Sequence, residues 1–288
     1  MNITPDLQSL IDTDLTHSPR LSSDFVVQVL KSGQLDIDQL MVSLLPIASQ
    51  YARTPISNFK VGTVALGDSG ALYLGSNMEF SGEALSFSVH GEQSAINHAW
   101  IKGEAGLKAI AVNAAPCGYC RQFMNELSNS AHDFQILLRT GDDHTSDPLT
   151  NYLPNAFGPS DLNISDRLMR PDTKVLKIAD KDPLAQAALI AANESYAPYS
   201  GNFSGVAIMS EDQILTGRYA ENAAYNPSMS PLQSALANLN MSRPPQAPYN
   251  ITRAVLVEAE APISQKAATE TVLSSVAPGI ELEYLQAT

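Results

Sequence analysis

The feature that most constrains the fold is an internal repeat. Pro55-Ile56-Ser57 and Gly62 recur as Pro198-Tyr199-Ser200 and Gly205, 143 residues further along with no gap. Downstream, Gln93-Ser94-Ala95-Ile96 is matched by Gln233-Ser234-Ala235-Leu236, and the apolar run before Pro116 by Ala254 to Val257 before Pro262. Three matches in the same order point to a duplicated domain. At 288 residues the chain is long enough for two modest domains with proper cores.

Within the first copy the patterning predicts a helix from Leu40 to Ala52, stopped by Thr54-Pro55. Strands follow at Val61 to Leu66 and Ala71 to Gly75, joined through Gly67-Asp68-Ser69-Gly70. A helix over His90 to Trp100, a strand from Leu107 to Asn113, a helix from Cys117 to Leu127 and a strand from Phe134 to Leu138 complete it. That order predicts an α/β fold, a sheet with helices packed on it. Residues 1–38 are expected to form a small N-terminal helical cap and 39–140 the first domain. Residues 141–180, rich in Asp, Asn, Pro and Ser, read as a connecting segment with few apolar anchors, and 181–288 as the second copy.

Charge narrows the partners. With 17 basic against 30 acidic side chains the net charge is −13, which repels polyphosphate and anionic lipid, so neither nucleic acid nor a membrane is expected as partner. Asp6, Asp12 and Asp14 interrupt the N-terminus, no basic stretch precedes an apolar one, and no apolar run reaches about eighteen residues. These features predict a cytoplasmic protein.

The chain has two cysteines, Cys117 and Cys120, in Pro116-Cys117-Gly118-Tyr119-Cys120. At a predicted strand-to-helix junction their sulfurs meet unsatisfied N–H groups that favour thiolates. Alone, the motif suits a redox pair or a zinc site equally. Upstream, His90-Gly91-Glu92 also precedes a helix, and one His with two Cys makes three ligands of a tetrahedral zinc, the fourth place being left to water. Glu92 is the natural proton acceptor beside such a water. His98 lies eight residues along the same helix, about 12 Å away, and is assigned to the core. Arg121 either supports the sulfurs or is a surface cation.

His90-x-Glu92 followed by Pro116-Cys117-x-x-Cys120 resembles the signature of the zinc deaminases. More narrowly, the chain resembles the long, homodimeric bacterial cytidine deaminases over essentially its whole length. The resemblance rests on Asn58 to Gly62, Asn77 to Phe80, Val89 to Ile96, Cys117 to Leu127, Tyr152-Leu153-Pro154 and Tyr219 to Ala224. It implies a duplicated three-layer α/β/α sandwich of the cytidine-deaminase type and a homodimer. It implies one Zn2+ per chain on His90, Cys117 and Cys120, with Glu92 moving protons as cytidine or deoxycytidine is hydrolysed at C4 in pyrimidine salvage. Asn77 and Glu79 are implied to bind a ribose hydroxyl, Phe59 to pack by the ring, the Gly91 N–H to reach the cytosine O2, and Phe157 to reach the neighbouring subunit's site. Gly91 departs from the family, which usually has Ala there. A helix with Gly is less stable by about 1 kcal/mol, which bears on the rigidity of the site.

The second copy carries no such set. Alignment through Gln233 puts Ser230 and Leu232 at the places of His90 and Glu92, and alignment through Pro262 puts Ile263 and Lys266 at those of the cysteines. Two rival functions remain, a thiol oxidoreductase on Cys117 and Cys120 and an inactive binding or scaffold protein. The first gives His90 and Glu92 no role, and the intact His90 and Glu92 speak against the second.

Overall fold

The computed structural model describes residues 19–127, 133–141, 143–170 and 173–288. Of the cap expected over 1–38, residues 1–18 lie outside them. Strand β1 (Arg20–Leu21) leads into helices α1 (Ser23–Gly33) and α2 (Ile37–Ala48). Helix α2 begins earlier than its apolar pattern because of a capping box. The Asp36 carboxylate accepts from the Gln39 N–H, and the Gln39 side chain accepts from the Asp36 N–H. It ends at Ala48, where Ser49–Tyr51 tighten into a 3-10 turn.

Next come β2 (Gly62–Gly67), β3 (Leu72–Ser76), α3 (Gly91–Ile101), β4 (Leu107–Val112), α4 (Gly118–Met124), β5 (Gln135–Thr140) and β6 (Asp143–Pro148). The strands form one sheet in the order β1-β3-β2-β4-β5-β6, antiparallel except for the parallel β4-β5 pair. On one face Val26, Val29, Leu40 and Leu44 pack on Val64, Leu74 and Leu137. On the other, Ala95, Ile96 and Phe123 pack on Ala65, Tyr73 and Ile110, which makes three layers, α/β/α.

Two details differ from the sequence-based expectation. The N-terminal region is not purely helical, since Arg20 and Leu21 pair with Tyr73 and Leu72. The polar segment after residue 140 is not a bare connector, since β6 pairs with β5 from Gln135↔Pro148 to Thr140↔Asp143. Its Asp, His, Thr and Ser residues show no apolar alternation. A short, charged strand ending in Pro is what a sheet edge tolerates, and it satisfies the β5 backbone that would otherwise be open.

The second half repeats the plan with α5 (Pro183–Asn193), β7 (Ser204–Ser210), β8 (Gln213–Arg218), α6 (Pro231–Asn240), β9 (Ile251–Ala259), α7 (Lys266–Val276) and β10 (Leu282–Ala287). Its sheet order β10-β9-β7-β8 matches β5-β4-β2-β3 of the first. The repeated glycines do the same work in both copies. A Cβ on Gly75 would stand 2.2 Å from Ala95 N, and one on Gly217 2.0 Å from Ala235 N, so each inner helix crosses its strand at backbone distance. The halves meet through α3 and α6, and Ile96, Trp100, Leu232 and Leu236 share one core. Gln93 Nε2 donates to Pro227 O at 3.2 Å and Gln233 Nε2 to Phe87 O at 2.8 Å, a reciprocal exchange that marks the pseudo-two-fold axis.

At the end of β9 the buried Glu258 accepts from Gln265 N (2.8 Å), Tyr284 Oη (3.0 Å), Asn202 Nδ2 (3.2 Å) and Ser264 Oγ. It thereby fixes the start of α7. Glu258→Ala leaves these donors unpaired and is expected to lower the unfolding free energy by about 3 kcal/mol in a denaturant titration. A loss under about 1 kcal/mol contradicts this role.

Candidate active site

Two loops bring two helix starts together. His90 is the N-cap of α3, Cys117 is the N-cap of α4, and Cys120 lies in the first turn of α4. His90 Nδ1 stands 3.5 Å from Cys117 Sγ and 3.3 Å from Cys120 Sγ, and the sulfurs are 3.5 Å apart. The edges of a tetrahedron around zinc, with Zn–S of about 2.3 Å and Zn–N of about 2.0 Å, are about 3.5 to 3.8 Å. The triangle therefore fits zinc in size and in donor chemistry. Among the described residues it is the one group of three or more His, Cys, Asp or Glu donors gathered within 4.8 Å of one another.

The hydrogen bond between the sulfurs, with the His90 ring, holds Cys117 down to about 3 against the opposing effect of burial. The same sulfur contact and burial push Cys120 up. The His90 ring stacks on Tyr119 at 4.8 Å with a 21° interplanar angle, which sets its plane. Arg121 donates to Pro116 O (2.8 Å) and Tyr152 O (2.9 Å), bracing the turn ahead of Cys117 rather than facing water as a free cation.

Glu92, in the first turn of α3, is only 4% exposed, and burial pushes its carboxyl above the usual range. It opens onto a cleft of about 470 Å3, shared with His90, Gly91, Cys117, Cys120, Phe59, Asn77 and Glu79. Phe59 is 59% exposed there, so it is not a core residue. Asn77 and Glu79 lie just past β3, not within a regular strand. Asn77 Oδ1 accepts from Val61 N (2.9 Å) and its Nδ2 donates to Phe59 O (2.9 Å). Glu79 accepts from the N–H groups of Ile56 (2.8 Å) and Ser57 (3.0 Å) and from the Ser57 hydroxyl. Both side chains shape the loop that carries Phe59 as well as lining the cleft. Phe157 is outside this cleft: its carbonyl accepts from Gln122 and Asn125 beside α4, and its side chain is about half exposed.

Two residues that sequence reasoning passed over also shape the site. Tyr119 occupies an unconstrained position of the cysteine motif. Thr63 Oγ1 donates to Gly91 O at 2.6 Å from a strand position with no polar signature. Gly91 has a steric cause as well, because a Cβ there would stand 2.9 Å from Val61 Cγ1 and 3.3 Å from Thr63.

In the second copy Ser230 caps α6 where His90 caps α3, and Leu232 takes the place of Glu92. Helix α7 is capped by Gln265, so Gln265 and Ala268 stand where the cysteines do, two residues beyond the Ile263 and Lys266 given by alignment through Pro262. Neither set ligates zinc.

Fold and site together define a zinc-dependent hydrolase built on a duplicated α/β/α sandwich. Two family models, both described as the cytidine and deoxycytidylate deaminase zinc-binding region, match this chain, one over residues 35–134 and the other over 149–270. The cytidine deaminase of Photobacterium profundum is 46% identical over 276 residues, spanning 95% of this chain and 92% of that protein. That of Actinobacillus succinogenes is 47% identical over 265 residues, spanning 92% and 87%. The chain belongs to the cytidine and deoxycytidylate deaminase family.

Gly91→Ala is expected to displace the start of α3 and lower kcat several-fold, and Val61→Ala in the same protein to recover most of it; full activity of Gly91→Ala alone contradicts the steric account. A second expectation concerns His98, whose Nδ1 lies 2.9 Å from Leu74 O. Burial lowers it to about 4, so between about 6.5 and 4 the unfolded chain binds the proton and the folded one does not. Stability should be full above about pH 6.5 and fall by up to about 3 kcal/mol as pH drops to about 4. His98→Gln should flatten that part of the denaturation profile, and an unchanged profile contradicts it.

Proposed function

We propose that the protein hydrolyses cytidine and 2′-deoxycytidine to uridine, or deoxyuridine, and ammonia, as a homodimer serving pyrimidine salvage in the cytoplasm. The observation that carries this reading is the His90, Cys117, Cys120 triangle with buried Glu92 opening onto the same cleft. Zinc held on that triangle supplies a Lewis acid that makes water nucleophilic at neutral pH. Glu92 takes a proton from the attacking water, passes it to N3 of the ring as C4 becomes tetrahedral, then takes the remaining proton of the C4 hydroxyl and delivers it to the amine, which leaves as ammonia while the C4 carbonyl forms. A carboxyl raised by burial suits both accepting and giving the proton near neutral pH.

Phe59 covers the ring, the Gly91 N–H donates to O2, and Asn77 and Glu79 hold a ribose hydroxyl. Two carboxylates, Glu79 and Glu92, and no Lys or Arg are found among the described residues lining the cleft. A phosphate would meet no cation there, which favours a free nucleoside over a nucleotide or a nucleic acid. None of the described helices is long and apolar enough to cross a membrane. Phe157 and Tyr225 are exposed near α4, and such apolar surface supports a dimer in which Phe157 reaches the partner's cleft.

Glu92→Gln should retain one zinc per chain while kcat for cytidine, followed by ultraviolet absorbance, falls at least about a hundredfold. Unimpaired turnover removes Glu92 from the mechanism, and wild-type protein that leaves the cytidine spectrum unchanged overturns the activity itself.

A further inference from the structure

We propose that Glu126, outside the metal centre, is a positioning residue through which the second copy holds the cysteine-bearing helix α4 in place. Glu126 lies just past the end of α4 and its side chain is fully buried. Its carboxylate accepts from Tyr196 Oη (2.8 Å), from the Tyr199 hydroxyl and from Ala223 N (3.1 Å), all donors of the second copy. Its backbone carbonyl accepts from Leu168 N at 2.8 Å.

The geometry around it is directional. Asn222 Nδ2 donates to Gln122 O (2.9 Å), and Tyr119 Oη contacts Ser228 O (3.5 Å). Gln93 Nε2, on α3, donates to Pro227 O. One short loop of the second copy, residues 222–228, therefore touches both ligand-bearing helices. That loop is closed on itself by Asn222 N donating to Ser228 Oγ (3.0 Å) and by the pairing of Ala220 with Met229. It serves as a common reference body, with Glu126 as its buried anchor through the Ala223 N–H.

Helix α4 needs such an anchor. It has seven residues, and a helix of that length has too few internal hydrogen bonds to be stable by itself. Its first turn must nonetheless hold both sulfurs within about a tetrahedral edge of a nitrogen carried by α3. Removing the Glu126 carboxylate takes the acceptor from the Tyr199 hydroxyl and the Ala223 N–H and leaves Tyr196 Oη only the Asp166 carbonyl at 3.3 Å, and the loop is released from α4.

The test, which rests on the zinc reading above, compares metal release with helix protection. In Glu126→Ala, zinc transfer to a chromogenic chelator at low temperature is expected to quicken at least tenfold, amide exchange over Gly118–Met124 to rise, and kcat to fall with KM little changed. Glu126→Gln, which keeps an acceptor oxygen, should stay within about threefold of wild type on every readout. Leu184→Ala, a core truncation on the far face of the second sheet, should lower Tm while leaving zinc release and exchange in α4 unchanged. If Glu126→Ala does not fold, Tyr199→Phe removes one donor and should give an intermediate quickening. Wild-type rates of release and exchange in Glu126→Ala, or in Tyr199→Phe where Glu126→Ala does not fold, overturn the proposal, as does an equal effect of Leu184→Ala. Wild-type protein without stoichiometric zinc overturns the metal reading instead, and amide exchange alone then decides the positioning role.

Discussion

Helix α3 has almost no water-facing side. From Gly91 to Trp100 its residues are buried, with the first sheet on one flank and α6 on the other. A helix so enclosed cannot show the usual apolar stripe opposite a polar face. It carries Glu92, Gln93, Ser94, Asn97 and His98 inside the protein, and a buried polar group without a partner costs about 1–3 kcal/mol. Much of that partnership crosses the seam between the copies. Asn97 Nδ2 donates to Ser234 O (3.1 Å), Ser234 Oγ donates to Asn97 Oδ1 (2.6 Å), and Gln93 reaches Pro227. The second copy thus supplies hydrogen bonds that this buried helix requires.

The two copies pin equivalent helix starts by different chemistry. In the first, the start of α4 carries two sulfurs gathered against His90, a set suited to zinc. In the second, the start of α7 is tied to the Glu258 carboxylate through Gln265 N and Ser264. An anion at a helix N-terminus is favourable on electrostatic grounds, so a carboxylate serves the structural half of the metal's task. It offers no Lewis acidity. With Ser230, Gln265 and Ala268 at the ligand positions, the second copy lacks the donor set while sharing the sheet order and the glycine contacts of the first.

How much of this was legible in the sequence follows from where each signal resides. Apolar alternation and helical spacing located β2 to β5 and the helices between them to within a few residues, because each has a buried face. The repeat announced the second sheet through Gly205 and Gln233, positions whose neighbours permit no alternative. Strand β6 was hidden because an exposed edge strand has no apolar face, and the start of α2 because its cap depends on Asp36 and Gln39. At the site, the spacing of His90, Cys117 and Cys120 showed the donors, since ligation demands particular atoms. The loop-bracing bonds of Asn77 and Glu79 were not visible, because their partners are mostly backbone groups. Glu126 was equally silent. It sits in a stretch quoted for its resemblance, yet its partners lie 70 to 97 residues away.

Burial of Glu92 connects the duplication to the chemistry. A carboxyl in the first turn of a solvent-facing helix would be stabilised as an anion by water and by the helix dipole, and would hold a proton poorly at neutral pH. Here α3 is covered on its outer side by α6, and at its first turn burial raises the Glu92 carboxyl, so the proton is held more firmly. One α/β/α unit alone leaves that outer side of α3 open, so a second unit of the same shape is the covering most readily formed by duplication. The covering unit needs the right surface but no metal, which is consistent with a second copy that retains Gln233 and Ser234 at the seam and has lost the zinc ligands.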